Sequence, residues 1–161
     1  MTNPANKTVL ITGAGGGFGR QMVVQFRAAG AKLILTDIND QALQSAIDDA
    51  GVGLVASFKA DLSSEEGCAA VVETCASLDV VPDILVNNAG IGIAGRLDHV
   101  PRDHLETLIQ LNLMAPMRIC SAFLPGMIER GSGHIVNISS IACWTGTEGL
   151  SSYCASKFGL R

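Results

Sequence analysis

Thr8-Val9-Leu10-Ile11-Thr12-Gly13-Ala14-Gly15-Gly16-Gly17-Phe18-Gly19 is the stretch from which the rest of the chain is read. Its first five residues are β-branched or apolar, as in a strand buried on both faces. Glycines follow at once. Behind them Met22, Val23 and Phe26 recur at three- and four-residue spacing over residues 20–29, and Gly30 stops the pattern. The order is strand, glycine turn, helix. Glycines let the backbone turn tightly and approach a ligand, while the free amides and positive end of the following helix attract phosphate charge. By itself such a turn also fits an ordinary tight connection with no ligand.

Working outward, the same alternation repeats. Residues 32–37 predict a second strand, followed by a helix over 40–49 that the Asp40 carboxylate is placed to cap. Residues 52–59 predict a third strand. Ser63 and Glu66 stand at capping-box spacing before a helix carrying Ala69, Val72 and Ala76, and residues 83–86 form a fourth, apolar strand. A long helix is expected over 103–123, bent at Pro116, with Pro125 ending it or starting a new turn. Residues 133–138 supply a fifth strand, and a helical pattern resumes at Ser151. Strands alternating with helices imply a doubly wound, Rossmann-like α/β fold: a parallel sheet of at least five strands with helices on both faces. No repeat, low-complexity tract or linker divides it, so residues 1–161 are read as one domain.

Composition removes several classes of function. Of 161 residues, 48% are hydrophobic and 16% charged, which excludes disorder. No unbroken apolar run approaches the roughly 20 residues that span a bilayer, and residues 1–7 lack the pattern of a secretory signal. A cytoplasmic protein without a membrane span is the expectation. The net charge is −4 with no basic cluster, which disfavours nucleic acid. Five cysteines, with no C-x-x-C pair, point to reduced thiols, and three scattered histidines give no metal site.

Two further features carry chemistry. Asp37 ends the second strand 20 residues after Gly17, where a carboxylate accepts hydrogen bonds from the adenosine ribose and repels a 2′-phosphate. It equally suits a helix-capping residue. Tyr153 and Lys157 stand four apart, on one face of the last helix. An ordinary phenol, with a pKa of about 10, is a poor base near neutrality. An adjacent ammonium stabilises the phenolate and makes the pair fit for general acid/base work. The bland alternative is a surface Tyr and Lys on an amphipathic helix. Ser140, 13 residues before Tyr153, falls at the carboxyl end of the fifth strand, where such sheets place ligands.

Together these residues resemble the short-chain dehydrogenase/reductase family. The turn has that family's T-G-x-x-x-G-x-G spacing, with Gly13, Gly17, Phe18 and Gly19 at the matching positions. Asp61-Leu62, Asn87-Asn88-Ala89-Gly90, Asn112, Ser140, Tyr153 and Lys157 follow in order. The resemblance implies that Asp61 and Leu62 face the adenine and that Asn88, Ala89 and Gly90 run along the cofactor. It favours Ser140 over its neighbour Ser139 as the serine that orients the substrate oxygen. It also gives Asn112 a helix-bending and water-holding role, Tyr153 that of acid/base, and Lys157 those of tuning the tyrosine and binding the nicotinamide ribose.

The reaction so implied is hydride transfer between NAD(H) and a secondary alcohol or ketone, by a homo-oligomer. Ile141, Cys143 and Trp144 suggest an apolar substrate wall. The rivals are a dinucleotide-binding module or non-catalytic subunit without turnover, and an epimerase retaining its NAD. Family members continue past the Tyr-to-Lys helix. The resemblance therefore implies that the C-terminal part is missing here, that Val136 and Ile138 lie on an open edge, and that residues 1–161 alone are poorly stable or associate through it.

Overall fold

The computed structural model describes residues 3–161. In chain order the elements are β1 (Thr8–Thr12), α1 (Gly17–Ala28), β2 (Lys32–Asp37), α2 (Asp40–Ala50), β3 (Leu54–Lys59), α3 (Glu65–Ser77), β4 (Ile84–Asn87), α4 (Arg102–Ile109), α5 (Ala115–Glu129), β5 (His134–Asn137) and α6 (Ser151–Leu160). The strands form one parallel sheet in the order β3-β2-β1-β4-β5. Strand order reverses between β1 and β4, and a doubly wound sheet opens a crevice beyond the carboxyl ends of its strands at such a point.

Alternation along each strand builds two cores. Val9, Ile11, Leu33 and Leu35 face α1 and α2, meeting Val23, Leu43 and Ala46. Leu10, Ile34 and Leu85 face α3 and α5, meeting Val71, Ile119 and Phe123. Helices thus cover both faces, as the continuous apolar strands predict. β5 occupies one edge, and Val136 and Ile138 pack beside the α1–α2 core.

Several boundaries differ from the sequence expectation for identifiable reasons. Asn39, not Asp40, caps α2: its side chain accepts the Ala42 N–H. Ser64, not Ser63, caps α3, accepting the Gly67 N–H, while the Ser63 hydroxyl donates to Asp61. In each case two adjacent residues are competent caps, and the one whose side chain reaches the helix amide takes the role. Val52 belongs to a 3-10 turn, Gly51–Gly53, so β3 begins two residues late.

Pro125 does not end the long helix. α5 runs on to Glu129 because Phe123 and Met127, on either side of the proline, are both anchored in the core. α4 and α5 are joined by a π-helical turn, Gln110–Met114, so the interruption is centred on Asn112, with Pro116 in the first turn beyond it. The continuous 28 residues Arg102–Glu129 are long and apolar enough to cross a membrane, with a mean hydropathy of 1.3 over the best window. Counting unbroken apolar runs misses this property. A third of that window is buried inside the protein, and Leu108, Ala115, Ile119, Phe123 and Met127 seat the helix in the fold.

Candidate active site

At the carboxyl ends of β1, β2 and β4 lies a cleft of about 460 Å³. Gly13, Gly17, Phe18, Gly19, Asp37, Asp61, Leu62, Asn88, Ala89 and Gly90 all line it, so residues from the first four sequence blocks converge there. Gly15, Gly16, Ile38, Asn39, Ala42, Ala60, Ile91 and Leu111 also line it. Most of these adjoin a motif residue, whereas nothing in the sequence marks Ala42.

The floor of the cleft is built by close approach of two loops. Gly13 has φ +63°, and a Cβ there would lie 2.8 Å from the Ala89 Cα. Glycine is thus required both by backbone conformation and by the neighbouring loop. Asn88 fastens the contact: its Nδ2 donates to the carbonyls of Thr12 and Gly13, each at 2.9 Å. The Thr12 hydroxyl oxygen accepts the amides of Asn88 and Ala89 at 3.0 and 3.1 Å. The Thr12–Asn88 clamp thereby joins β1 to β4 across the switch point.

Gly17 differs from Gly13. A Cβ on it would meet nothing within 4 Å. The N-cap of α1 is Gly16, which offers no side-chain hydrogen bond to the helix amides. An uncapped helix start beside an open glycine is a cradle for an anionic group brought close to the backbone. The residues present therefore fit the pyrophosphate of a dinucleotide.

Asp37 lines the cleft beside the glycine turn. Its two carboxylate oxygens accept the Gly15 and Asn39 amides, both at 2.9 Å, so it holds the glycine turn and the start of α2 together. Asp61 accepts from the Ser63 amide and hydroxyl, which turns the chain after β3 and sets Leu62 against the core.

The four residues expected to carry catalysis lie beyond the cleft lining, and two of them, Asn112 and Lys157, meet it at Gly90. A Cβ on Gly90 would stand 3.1 Å from Asn112 Oδ1 and 3.7 Å from Lys157 Nζ. Asn112 is completely buried. Its Oδ1 accepts the Ile91 amide at 2.9 Å, and its Nδ2 donates to the Ile91 carbonyl at 2.9 Å and to Ser156 Oγ at 3.2 Å. The side chain therefore pins the loop after β4 to α6, while its backbone occupies the π turn. Such turns recur at functional sites. Ser156, which also donates to the Tyr153 carbonyl at 2.7 Å, is a member of this cluster that the sequence reading did not single out.

Lys157 is 5% exposed and donates to the Ile138 carbonyl at 2.9 Å. Its ammonium lies 5.8 Å from the centre of the Tyr153 ring. Burial pushes its pKa down from the ordinary lysine value. Among the described residues no carboxylate forms an ion pair with it. An ammonium without a counter-ion favours negative charge on groups near it.

Ser139 and Ser140 lie just beyond β5, which ends at Asn137, and their side chains part company. Ser139 Oγ donates to the Lys157 carbonyl at 3.3 Å, whereas Ser140 Oγ accepts the Ala142 amide at 3.2 Å and caps the short turn Ile141–Cys143. The Ser140 hydroxyl proton is left to donate elsewhere. Ile141 and Trp144 follow at 76% and 65% exposure, while Cys143 is buried and belongs to the packing.

A family model described as short chain dehydrogenase matches residues 7–161. Epidermal retinol dehydrogenase 2 of Mus musculus is 40% identical over 159 residues, 97% of this chain and 52% of that protein. A metagenomic short-chain oxidoreductase solved in complex with NADP superposes with a TM-score of 0.89 at 33% identity, over 99% of this chain and 72% of that one. NAD+-bound xylitol dehydrogenase superposes with a TM-score of 0.87 at 28% identity, over 99% and 62%. The chain spans between 26% and 56% of the length of the curated relatives it matches.

Proposed function

Because the chain belongs to the short-chain dehydrogenase family, we propose that its site performs reversible hydride transfer between NAD(H) and a lipophilic secondary alcohol or ketone. The observation that carries this reading is the junction at Gly90, where a dinucleotide-shaped cleft ends against Asn112 and the buried, unpaired Lys157 ammonium. The α1 N-terminus would hold the pyrophosphate, Asp37 the adenosine ribose, and Asp61 and Leu62 the adenine edge. Lys157 would reach the second ribose with donors not used on Ile138. When bound, the nicotinamide supplies the acceptor for a hydride from the alcohol carbon.

The chain's own residues would manage the proton. Ser140 donates a hydrogen bond to the substrate oxygen, and Tyr153 takes the hydroxyl proton as the carbon loses its hydride, so a neutral carbonyl results. Before that transfer Tyr153 must be the phenolate, whose charge the nearby Lys157 ammonium stabilises and which becomes a neutral phenol on taking the proton. Asn112 holds the Ile91 loop and α6 in register, which keeps Lys157 beside Gly90. The preference for NAD rests on the Asp37 carboxylate, which a 2′-phosphate would face at close range. The exposed faces of Ile141 and Trp144 support an apolar substrate, as does the likeness to a retinol dehydrogenase.

The test is to mix the protein with NAD and a panel of secondary alcohols of rising chain length, and to follow NADH absorbance. NADH appearing in solution, faster with longer apolar substrates, supports the reading. Cofactor binding without NADH formation on any alcohol would instead mark a dinucleotide-binding module, and retention of NADH on the protein would mark an epimerase.

A further inference from the structure

The discriminating charge at the adenosine end is not confined to Asp37. Parallel pairing of β2 with β3 sets Lys59 opposite Asp37 in register, so both side chains leave the sheet on the same face. The Lys59 ammonium does not pair with Asp37. It is held by Asp40, the first residue of α2, at 2.7 Å, with both side chains largely exposed. Each member of this ion pair adjoins residues that line the cleft: Asp40 follows Asn39, and Lys59 precedes Ala60. The rim therefore carries Asp37, Asp40 and Lys59, and Asp40 holds that lysine.

We propose that the Asp40–Lys59 ion pair is a second determinant of cofactor choice: Asp40 withholds from a 2′-phosphate the Lys59 ammonium that stands beside Asp37. The inference rests on the dinucleotide reading above. Asp37 cannot be the cleanest lever on specificity, because its carboxylate also organises the glycine turn through Gly15 and the α2 start through Asn39. Removing it disturbs the site for any dinucleotide. Asp40 makes no hydrogen bond to the turn. Its charge acts on Lys59 and on whatever anion reaches the rim. A lysine stem spans several ångströms and rotates freely at the surface, so a released Lys59 can follow a phosphate near its strand neighbour's carboxylate.

Calorimetric titration of the unaltered protein and of Asp40→Asn, Lys59→Met and the double variant, each with AMP and with its 2′-phosphorylated form, separates the possibilities. All four proteins should bind AMP within about twofold of one another, since neither residue touches the turn. Asp40→Asn should bind the 2′-phosphorylated ligand about fivefold more tightly, the effect of freeing one surface ammonium to meet a dianion. The gain should shrink in 0.5 M salt, since exposed charges are screened at about a Debye length of ~4 Å or less there. Adding Lys59→Met to Asp40→Asn should abolish most of the gain, a coupling that a merely structural role does not produce. An unchanged preference in Asp40→Asn, or a gain that persists without Lys59, overturns the proposal while leaving the dinucleotide site intact. Failure of the unaltered protein to bind AMP at all overturns both.

Discussion

Truncating Asn112 to alanine removes three hydrogen bonds at once from a fully buried position: two to the Ile91 backbone and one to Ser156. Each net hydrogen bond of this kind contributes about 1 kcal/mol, and a buried partner left without a replacement raises that to about 2. Alanine is the better helix former, which offsets roughly 0.5 kcal/mol, and Ser156 keeps its bond to the Tyr153 carbonyl. The sum is a loss of about 2–4 kcal/mol. For a chain of this size each kcal/mol lowers Tm by roughly 2–4 °C, so a fall of about 4–16 °C is expected. Calorimetric melting of the two proteins measures it, and hydrogen exchange at the Ile91 amide should lose its protection in the variant alone. A Tm within about 2 °C of the original, with the Ile91 amide still protected, would refute the view that this side chain fastens the β4 loop to α6.

Asp37→Ala should weaken NAD binding and narrow the NAD-to-NADP preference without tightening NADP in absolute terms, because the Gly15 amide loses its acceptor; titration with both dinucleotides checks this. NADP binding the unaltered protein as tightly as NAD would sink the role given to Asp37. Lys157→Met should abolish turnover yet raise Tm at pH 7, since it removes a buried ammonium with no counter-ion. The lysine's folded pKa lies below its unfolded value, so the native protein gains stability as pH rises from the folded pKa towards 10.5, and melts at pH 7 and pH 10 should show the variant's advantage disappearing. Burial alone would push the Asp83 carboxyl up, but the Thr8 N–H, the Lys7 ammonium and the more distant Arg130 together hold it below the ordinary 3.8. Its stabilising effect is therefore present above that value and lost as pH falls through the folded pKa, and urea midpoints between pH 2 and 6 should fall less steeply in Asp83→Asn.

Legibility in the sequence followed the range of the interactions involved. Parallel strands buried on both faces leave continuous apolar runs, and the turn at Gly13–Gly19 needs glycine for reasons local to the backbone, so both could be read directly. The convergence of Asp37, Asp61 and Asn88 on that turn followed from strand order, since each stands at a carboxyl end. Features decided by tertiary partners could not be read. The helix persists through Pro125 because Phe123 and Met127 are anchored in the core, and the π turn at Asn112 exists where the side chain is claimed by Ile91 and Ser156. The choice of Asn39 and Ser64 as caps turned on which of two adjacent side chains reaches the helix amide. Lys59 was invisible as a neighbour of Asp37 because only the β2–β3 register, which contains an irregularity between Leu33 and Ile34, brings them opposite each other.

The central claim is that Tyr153 moves a proton while a separate cleft binds the dinucleotide, and Tyr153→Phe separates the two. The exchange deletes one hydroxyl from a residue outside the cleft lining. NAD should bind the variant within about twofold of the native affinity, while NADH formation from the best alcohol falls by about 100-fold or more, the usual contribution of a positioned acid/base group. A variant that keeps more than about a tenth of the native rate would contradict the account, because another group would then have to carry the proton.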